Sequence, residues 1–336
     1  MHRDSIVIVT PALADANNGN WQTARRWARM LQSAYRVRLV AQWTPPAGGD
    51  DALMIALHAR RSAPSVAAWR AAYPQRPLLL TLTGTDLYRD IDTDASAQHS
   101  LEAADALVVL NQMGALRLPA ALRAKCHVLL QSCPSRRMLP KTARHLRALM
   151  VGHLRDEKDP RTYFRAARRL LDRHDILLDH IGAALDPALG EEAGALMATQ
   201  ARYRWLGALP HAETRRRIQA AHVLVHPSRM EGGAHVVIEA LRSGTPVLAS
   251  NIAGNLGLLG DDYRGSFALG DDAALATMLK RARDDPDMLP TLQGQLRTRT
   301  PLFSPEAERA TLHRVVSALI ARRTPGPIDE RTRPPA

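Results

Sequence analysis

Short, continuously apolar runs alternate along this chain with longer amphipathic stretches. In the amphipathic stretches, arginine occupies one face and alanine or leucine the other. Apolar runs without internal polar alternation are typical of parallel strands that helices cover on both faces. The predicted strands are 6–9, 37–41, 52–57, 78–82, 106–110, 128–131, 148–151, 176–181, 203–206, 223–226 and 247–249, and the clearest predicted helices are 21–32, 161–172, 211–221, 272–284 and 305–322.

The strands fall into two sets, which predicts an α/β chain with two Rossmann-like domains. The basic segment 134–147 separates the sets and contains Pro134 and Pro140, so we interpret it as the linker. The expected organisation is a first domain over 1–140, a second domain over 141–302, a helix over 303–323 that packs back toward the first domain, and a flexible tail over 324–336.

The composition is that of a globular protein, with 46% hydrophobic and 23% charged residues. The formal net charge of +12 comes almost entirely from arginine. These arginines are spread along the predicted helices, and no aromatic residues interleave with them as in base-stacking platforms. We therefore expect no nucleic-acid partner.

Cysteine use indicates a reducing compartment, and hydropathy indicates that no segment spans a membrane. Cys126 and Cys133 are the only cysteines, and they match neither a disulfide scaffold nor a zinc spacing. The first apolar run is too short for a signal-peptide core. No run approaches the roughly 20 apolar residues that span a bilayer. These features predict a cytoplasmic protein without a membrane span.

The strongest chemical signal follows strand 223–226. Glu231 lies on the loop, Gly232 and Gly233 are expected to open a helix, and Glu239 is expected about two turns into it. Glycine lets a ligand approach the backbone, and free amides at a helix start favour an anion. Two carboxylates beside an anion site suit a nucleotide-sugar, although an ordinary strand–helix crossover with solvated glutamates remains the alternative.

The spacing of Glu231 and Glu239, followed by Gly244-Thr-Pro-Val-Leu-Ala, resembles the paired-glutamate motif of the retaining glycosyltransferases. The resemblance implies a GT-B fold, in which two parallel sheets face each other across a cleft. It also implies a UDP-sugar or similar donor, with Glu231 contacting the sugar and Glu239 the ribose.

A second segment is similar to the Val-Gly-Arg-Leu-x-x-x-Lys-Gly motif in which that family clamps the diphosphate. Lys158 keeps the lysine, His153 stands at the arginine position, and Arg155 is expected to supply the missing charge. Fixed cations can stabilise a departing diphosphate without a metal, and no metal motif is evident, so neither a metal nor a cofactor is expected. The resemblance gives Glu231, Lys158 and Arg155 as catalytic residues, and Glu239, Gly232, Gly233, Ala234, His153, Gly254 and Gly19 as donor-binding residues.

The resemblance also implies that the first domain binds the acceptor, and ligands in such sheets bind at the carboxyl ends of the strands. Polar residues follow three of its predicted strands, where turn formation and helix capping are the alternative roles. The acceptor candidates are Asn17, Asn18, Asn20, His58, Arg60, Arg61, Thr83 and Asp86.

Taken together, 17–24, 56–62 and 82–90 resemble the selenosugar synthase subgroup of these glycosyltransferases, over most of 5–320. That resemblance implies carbon–selenium bond formation between selenophosphate and the sugar of UDP-N-acetylglucosamine, in selenoneine biosynthesis. Enzymes that supply selenophosphate would be partners, and Arg60 and Arg61 would bind its phosphate oxygens. The alternatives are an oxygen-glycosyltransferase with a small hydroxyl acceptor, a non-catalytic sugar-nucleotide sensor, and a basic nucleic-acid-binding module.

Overall fold

The computed structural model describes residues 3–11, 19–45 and 50–322. Within these ranges the strands form two six-stranded sheets, and every pair of neighbouring strands is parallel. The expected α/β fold with two parallel sheets is therefore confirmed.

The first sheet has the order β2-β1-β3-β4-β5-β6. Its strands are β1 Ser5–Val9, β2 Arg36–Val40, β3 Asp51–Leu57, β4 Leu78–Leu82, β5 Ala106–Val109 and β6 Cys126–Val128. The helices among them are α1 Gly19–Leu31, α2 Ala63–Ala72, α3 Ile91–Thr93, α4 Ala95–Ala103 and α5 Ala120–Arg123, with a π-helical turn at Asp86–Asp90 and a 3₁₀ turn at Gly114–Arg117.

The second sheet has the order β12-β11-β10-β7-β8-β9. Its strands are β7 Leu146–Val151, β8 Ile176–Ile181, β9 Tyr203–Trp205, β10 Val223–His226, β11 Val247–Ser250 and β12 Ser266–Phe267. Its helices are α6 Pro160–Arg168, α7 Pro187–Thr199, α8 His211–Ala220, α9 His235–Leu241, α10 Ala253–Leu259, α11 Asp272–Asp284 and α12 Met288–Arg299, with 3₁₀ turns at Asp156–Lys158 and Thr300–Phe303.

The continuous apolar pattern of β1 reflects burial on both sides. Ile6 and Ile8 join the core under α1, whereas Val7 and Val9 join the core under α2 and α4. Successive side chains of a strand point to opposite faces, so a sheet that is covered twice needs apolar residues at every position.

Ten of the eleven predicted strands agree with the structure to within two residues at each end. The sixth strand is Cys126–Val128 rather than 128–131, and β12 was missed. A strand of two residues is too short to show a periodic pattern. The predicted helix 161–172 also ends early, at Arg168.

The last helix, α13 Pro305–Ala321, packs on the first sheet. Leu312 and Val316 belong to the same core as α1 and β1. The carboxylate of Glu308 accepts hydrogen bonds from Arg26 Nε at 2.9 Å and Trp27 Nε1 at 2.8 Å. The chain therefore returns to the first sheet after the second one is complete. The tail 324–336 lies outside the described residues.

The loops at the carboxyl ends of the two sheets meet. Asn111, which follows β5, donates from Nδ2 to the carbonyl oxygen of Gly232 at 2.8 Å. Gly232 follows β10, and its α-carbon lies against the backbone of Thr83 and Gly84 after β4. Polar residues at the carboxyl ends of β7, β10, β4 and β3 thus come together between the sheets.

Candidate active site between the two sheets

Glu231 is a buried carboxylate in the loop between β10 and α9, 8% exposed. Lys158 Nζ donates to its Oε1, and His226 Nε2 lies 3.1 Å from the same oxygen. Burial would raise the pKa of Glu231, but the Lys158 ammonium and His226 outweigh it and hold the pKa well below its usual range. Glu231 is therefore ionised across the physiological pH range and can only accept hydrogen bonds.

The loop that carries Lys158 is tied to the loop that carries Glu231. The backbone N–H of Arg229 donates to the carbonyl oxygen of Glu157 at 2.9 Å, and Arg229 Nη2 donates to Asp159 at 3.2 Å. Asp159 is buried and left-handed, with φ of 45°. Since non-glycine residues adopt this conformation only where their surroundings impose it, the position of Lys158 is closely fixed.

Glu239 is a second buried carboxylate, 2% exposed. Its Oε1 accepts from His211 Nε2 at 2.7 Å, and His235 Nδ1 and Arg215 Nη1 lie at 3.4 and 3.5 Å. Burial would raise the pKa of Glu239, but His211, His235 and Arg215 lower it to about 2. This part of the site therefore also holds a fixed negative charge.

Two expectations about the helix after Glu231 were wrong. The helix α9 has seven residues and begins at His235, so Glu239 lies one turn into it. The chain at Gly232 and Gly233 is not helical, because it packs against loops of the first sheet.

The glycines expected to admit the donor are close to protein atoms instead. A side chain on Gly232 would overlap the Thr83 carbonyl oxygen, and one on Gly233 would meet Leu110 Cβ at 2.9 Å. A side chain on Gly254 would overlap the carbonyl oxygen of Glu231. The lack of a β-carbon at all three positions is thus already required by the polypeptide, whatever ligand binds. Ala234 is buried and precedes α9.

His153 does not replace the missing cation. Its Nδ1 accepts the backbone N–H of Ala183 at 3.1 Å. Burial, together with Arg155 and Lys158, lowers the pKa of His153 below its ordinary value of 6.5, so the ring is neutral at pH 7. Arg155 is exposed, with Nε 3.9 Å from Glu157 Oε2. Arg155 and Lys158 therefore provide the positive charge of this loop.

The acceptor candidates of the first domain lie in three loops. Asn17 and Asn18 are outside the described residues. Gly19 and Asn20 form the start of α1, and among the described residues no atom lies within 4 Å of a β-carbon placed on Gly19.

Asp86 joins two of these loops. It is fully buried and accepts backbone N–H groups from Thr83 and Gly84 at 2.8 Å and from Ala59 at 2.9 Å. These bonds occupy both carboxylate oxygens, so Asp86 shapes the loops. Thr83 contributes its backbone to the contact with Gly232.

His58 is buried and has a φ of 75°, an uncommon conformation for a residue other than glycine. Its Nε2 lies 3.1 Å from Thr85 Oγ1, and burial lowers its pKa. Arg60 and Arg61 are both exposed, and Arg60 Nε donates to Asp90 at 2.8 Å. The two arginines thus differ, since Arg60 is held by a carboxylate.

Sequence reasoning missed several polar residues of the site, among them His226, His211, His235 and Asn111. His226 and Asn111 stand at the carboxyl ends of strands, which is a signal that could have found them. His235 lies four residues before Glu239 on α9, so helical spacing could have found it, whereas His211 reaches Glu239 only through the packing of α8 against α9.

No group of three or more histidine, cysteine, aspartate or glutamate side chains suited to a metal occurs in the part of the chain that the structure describes. In the same residues, no helix is long and apolar enough to cross a membrane. Cys126 and Cys133 are free, and burial raises the pKa of each thiol to about 11.

Solved structures match this architecture along most of the chain. Sucrose-phosphate synthase from Thermosynechococcus elongatus superimposes with a TM-score of 0.75 and 18% identity, covering 95% of this chain and 100% of that one. Anabaena HepE in complex with UDP-glucose gives a TM-score of 0.74 and 13% identity, covering 94% and 99%. The fold is GT-B. The predicted fold class is therefore confirmed.

Two sequence comparisons each cover about half of this GT-B chain. Residues 135–295 match the family model described as Glycosyl transferases group 1. The D-inositol 3-phosphate glycosyltransferase of Streptomyces coelicolor is 31% identical over 196 residues, which is 54% of this chain and 42% of that protein. The chain thus aligns with less than half the length of this curated relative.

Proposed function

We propose that this GT-B chain is a glycosyltransferase that joins selenophosphate to the sugar of UDP-N-acetylglucosamine and releases UDP. The observation that carries the transferase part is the pairing of Lys158 with buried, ionised Glu231, eight residues before buried, ionised Glu239, between two parallel sheets. The family match over 135–295 supports it. The selenium specificity depends on the sequence resemblance over 5–320.

The donor is proposed to lie along the second sheet. Glu239 accepts from the ribose hydroxyls and Glu231 from hydroxyls of the transferred sugar, because ionised carboxylates are acceptors only. Lys158 and Arg155 interact with the diphosphate and stabilise the charge that develops as it departs.

The acceptor is proposed to lie on the first sheet, with its phosphate oxygens at Arg61 and Arg60. Guanidinium groups bind phosphate in bidentate fashion. Selenium attacks the anomeric carbon, the bond from that carbon to the UDP oxygen breaks, and UDP leaves with the electron pair. Water then cleaves the selenium–phosphorus bond, which gives the selenosugar and phosphate.

The decisive experiment is anaerobic incubation with UDP-N-acetylglucosamine and freshly generated selenophosphate, followed by mass spectrometry. We expect a product with the selenium isotope pattern and one released UDP per product. Glu231→Gln should abolish both signals, whereas Glu213→Gln, an exposed glutamate of α8, should keep them. UDP-sugar binding without selenium incorporation would refute the acceptor assignment and keep the transferase.

Arg60→Ala tests the acceptor side separately. We expect the KM for selenophosphate to rise about tenfold or more, because one charge-assisted hydrogen bond is lost. The affinity for UDP should stay unchanged. Enzyme kinetics and calorimetry measure the two quantities. Equal losses of both would refute this role for Arg60.

An oxygen-glycosyltransferase is the second candidate. The curated relatives are named for transfer to D-inositol 3-phosphate, which is a phosphorylated hydroxyl acceptor. A screen of small hydroxyl acceptors with UDP-sugars, read by UDP release, would identify this activity if selenium is not incorporated.

A further inference from the structure

Asn111 belongs to a loop of the first sheet, and its side chain contacts a loop of the second sheet. It follows β5, is fully buried, and donates from Nδ2 to the Gly232 carbonyl oxygen at 2.8 Å. The same amide nitrogen lies 3.0 Å from Tyr88 Oη. Asn111 Oδ1 accepts the backbone N–H of Met113 at 3.0 Å. Because Oδ1 is already fixed by that bond, the amide is oriented with its donor toward Gly232.

The Asn111 side chain packs against Gly257, on the side of the second sheet. A β-carbon on Gly257 would overlap Asn111 Oδ1. Asn111 therefore lies between the carbonyl oxygen of Gly232 and the backbone of Gly257. The backbone N–H of the next residue, Gln112, also donates to the Gly257 carbonyl oxygen at 3.3 Å.

The bonded carbonyl belongs to the residue that directly follows Glu231. On its other side, the Glu231 backbone packs against Gly254. The loop is thus held from both directions, by the second sheet at Gly254 and by the first sheet at Asn111. Without Asn111, the buried Gly232 carbonyl oxygen would lose its side-chain donor, and a lost buried hydrogen bond is costly.

We propose that Asn111 is a positioning residue that fixes the Glu231 loop when the two sheets come together, so that the Glu231 carboxylate is placed for transfer. The contact itself is independent of the proposed function, and only its effect on turnover depends on that function. The side-chain hydrogen bonds of Asn111 go to Gly232, Tyr88 and Met113 and not to Glu239, so we expect nucleotide binding not to require it.

The first test is hydrogen exchange of the backbone amides in peptides that span Glu231–Ala234. Asn111→Ala and the nearly isosteric Asn111→Asp, which replaces the donor by an acceptor, should speed exchange there about tenfold or more. Gln112→Ala is the matched control. It removes another bond between the domains, from Arg299 Nη2 to Gln112 Oε1 at 2.6 Å. Unchanged exchange in both Asn111 variants, or equal acceleration in Gln112→Ala, would overturn the proposal.

The second test separates turnover from binding. In both Asn111 variants we expect kcat to fall about 10- to 100-fold, as for one lost buried hydrogen bond, while the affinity for UDP changes less than about twofold. Gln112→Ala should retain kcat. Unchanged kcat in the Asn111 variants would refute the positioning role. If the wild-type protein transfers no sugar at all, the proposed function fails, and the exchange measurement still decides whether Asn111 holds the loop.

Discussion

At the residue scale, Glu231 and Glu239 are both buried and ionised, but they have different partners. Glu231 contacts a lysine and one histidine, whereas Glu239 contacts two histidines and an arginine. A buried carboxylate is stable only when such partners compensate its lost hydration. Substitutions of Glu231 and of Glu239 are therefore expected to have different effects.

We predict that Glu239→Ala weakens UDP binding about 10- to 100-fold, the range for losing hydrogen bonds to a charged group. Titration calorimetry with UDP measures it. Glu231→Ala should leave the affinity for UDP nearly unchanged and weaken the binding of the UDP-sugar instead. The assignment of Glu239 to the ribose fails if both variants bind UDP as the wild type does.

The low pKa of Glu239 predicts acid sensitivity. A carboxylate with a depressed folded-state pKa contributes stability above its unfolded value, near 4.5, and that stability is lost as the pH falls toward about 2. The contribution is about 3 kcal/mol. Urea unfolding between pH 5 and pH 2 should show this loss, and Glu239→Gln should make the profile flatter. An identical pH profile for the two proteins would contradict the prediction.

At the element scale, the short helix α10 is placed by one close contact. Gly254 lies against the carbonyl oxygen of Glu231, so α10 can approach the site loop only without a side chain there. In α7, by contrast, Gly194 has open space around the position of a β-carbon. Both glycines are helical, which makes them a matched pair.

We predict opposite results for these two glycines. Gly254→Ala should lower the free energy of unfolding by about 1 to 3 kcal/mol, because the added methyl group must displace backbone. Gly194→Ala should raise it by up to about 1 kcal/mol through helix propensity. Chemical denaturation measures both. A neutral or stabilising Gly254→Ala would show that α10 can shift without cost.

At the scale of the whole molecule, α13 links the chain's end to its beginning. Glu308 is 1% exposed and accepts from Arg26 and Trp27 of α1 and from Ser132 N at 2.8 Å. Ser132 lies just before the segment that leads into the second sheet. One buried carboxylate thus connects the last helix, the first helix and the crossing between the sheets.

Glu308→Ala is predicted to lower the free energy of unfolding by about 3 to 5 kcal/mol, because the partly buried Arg26 guanidinium and the buried Trp27 indole N–H lose their carboxylate partner. Glu306→Ala, on the exposed side of the same helix, should leave stability unchanged. Thermal and urea unfolding compare the two. Equal effects would show that Glu308 does not anchor α13.

Patterns along the chain were enough to predict the fold class, most of the strands and the loops that carry Glu231 and Lys158. Continuous apolar runs indicate strands that are buried on both faces. Polar side chains that follow the carboxyl ends of parallel strands lie at the same edge of the sheet. These are local properties of the chain, so a pattern along it can show them.

Which groups meet across the two sheets depends on the tertiary structure alone. Asn111 reaches Gly232 over 121 positions, and Arg26 reaches Glu308 over 282. Nor could spacing show that Asp86 is occupied by three backbone donors, or that Gly232 serves contact between domains rather than helix formation. Such contacts depend on how two separately folded sheets are oriented, and no periodicity within either sheet encodes that orientation.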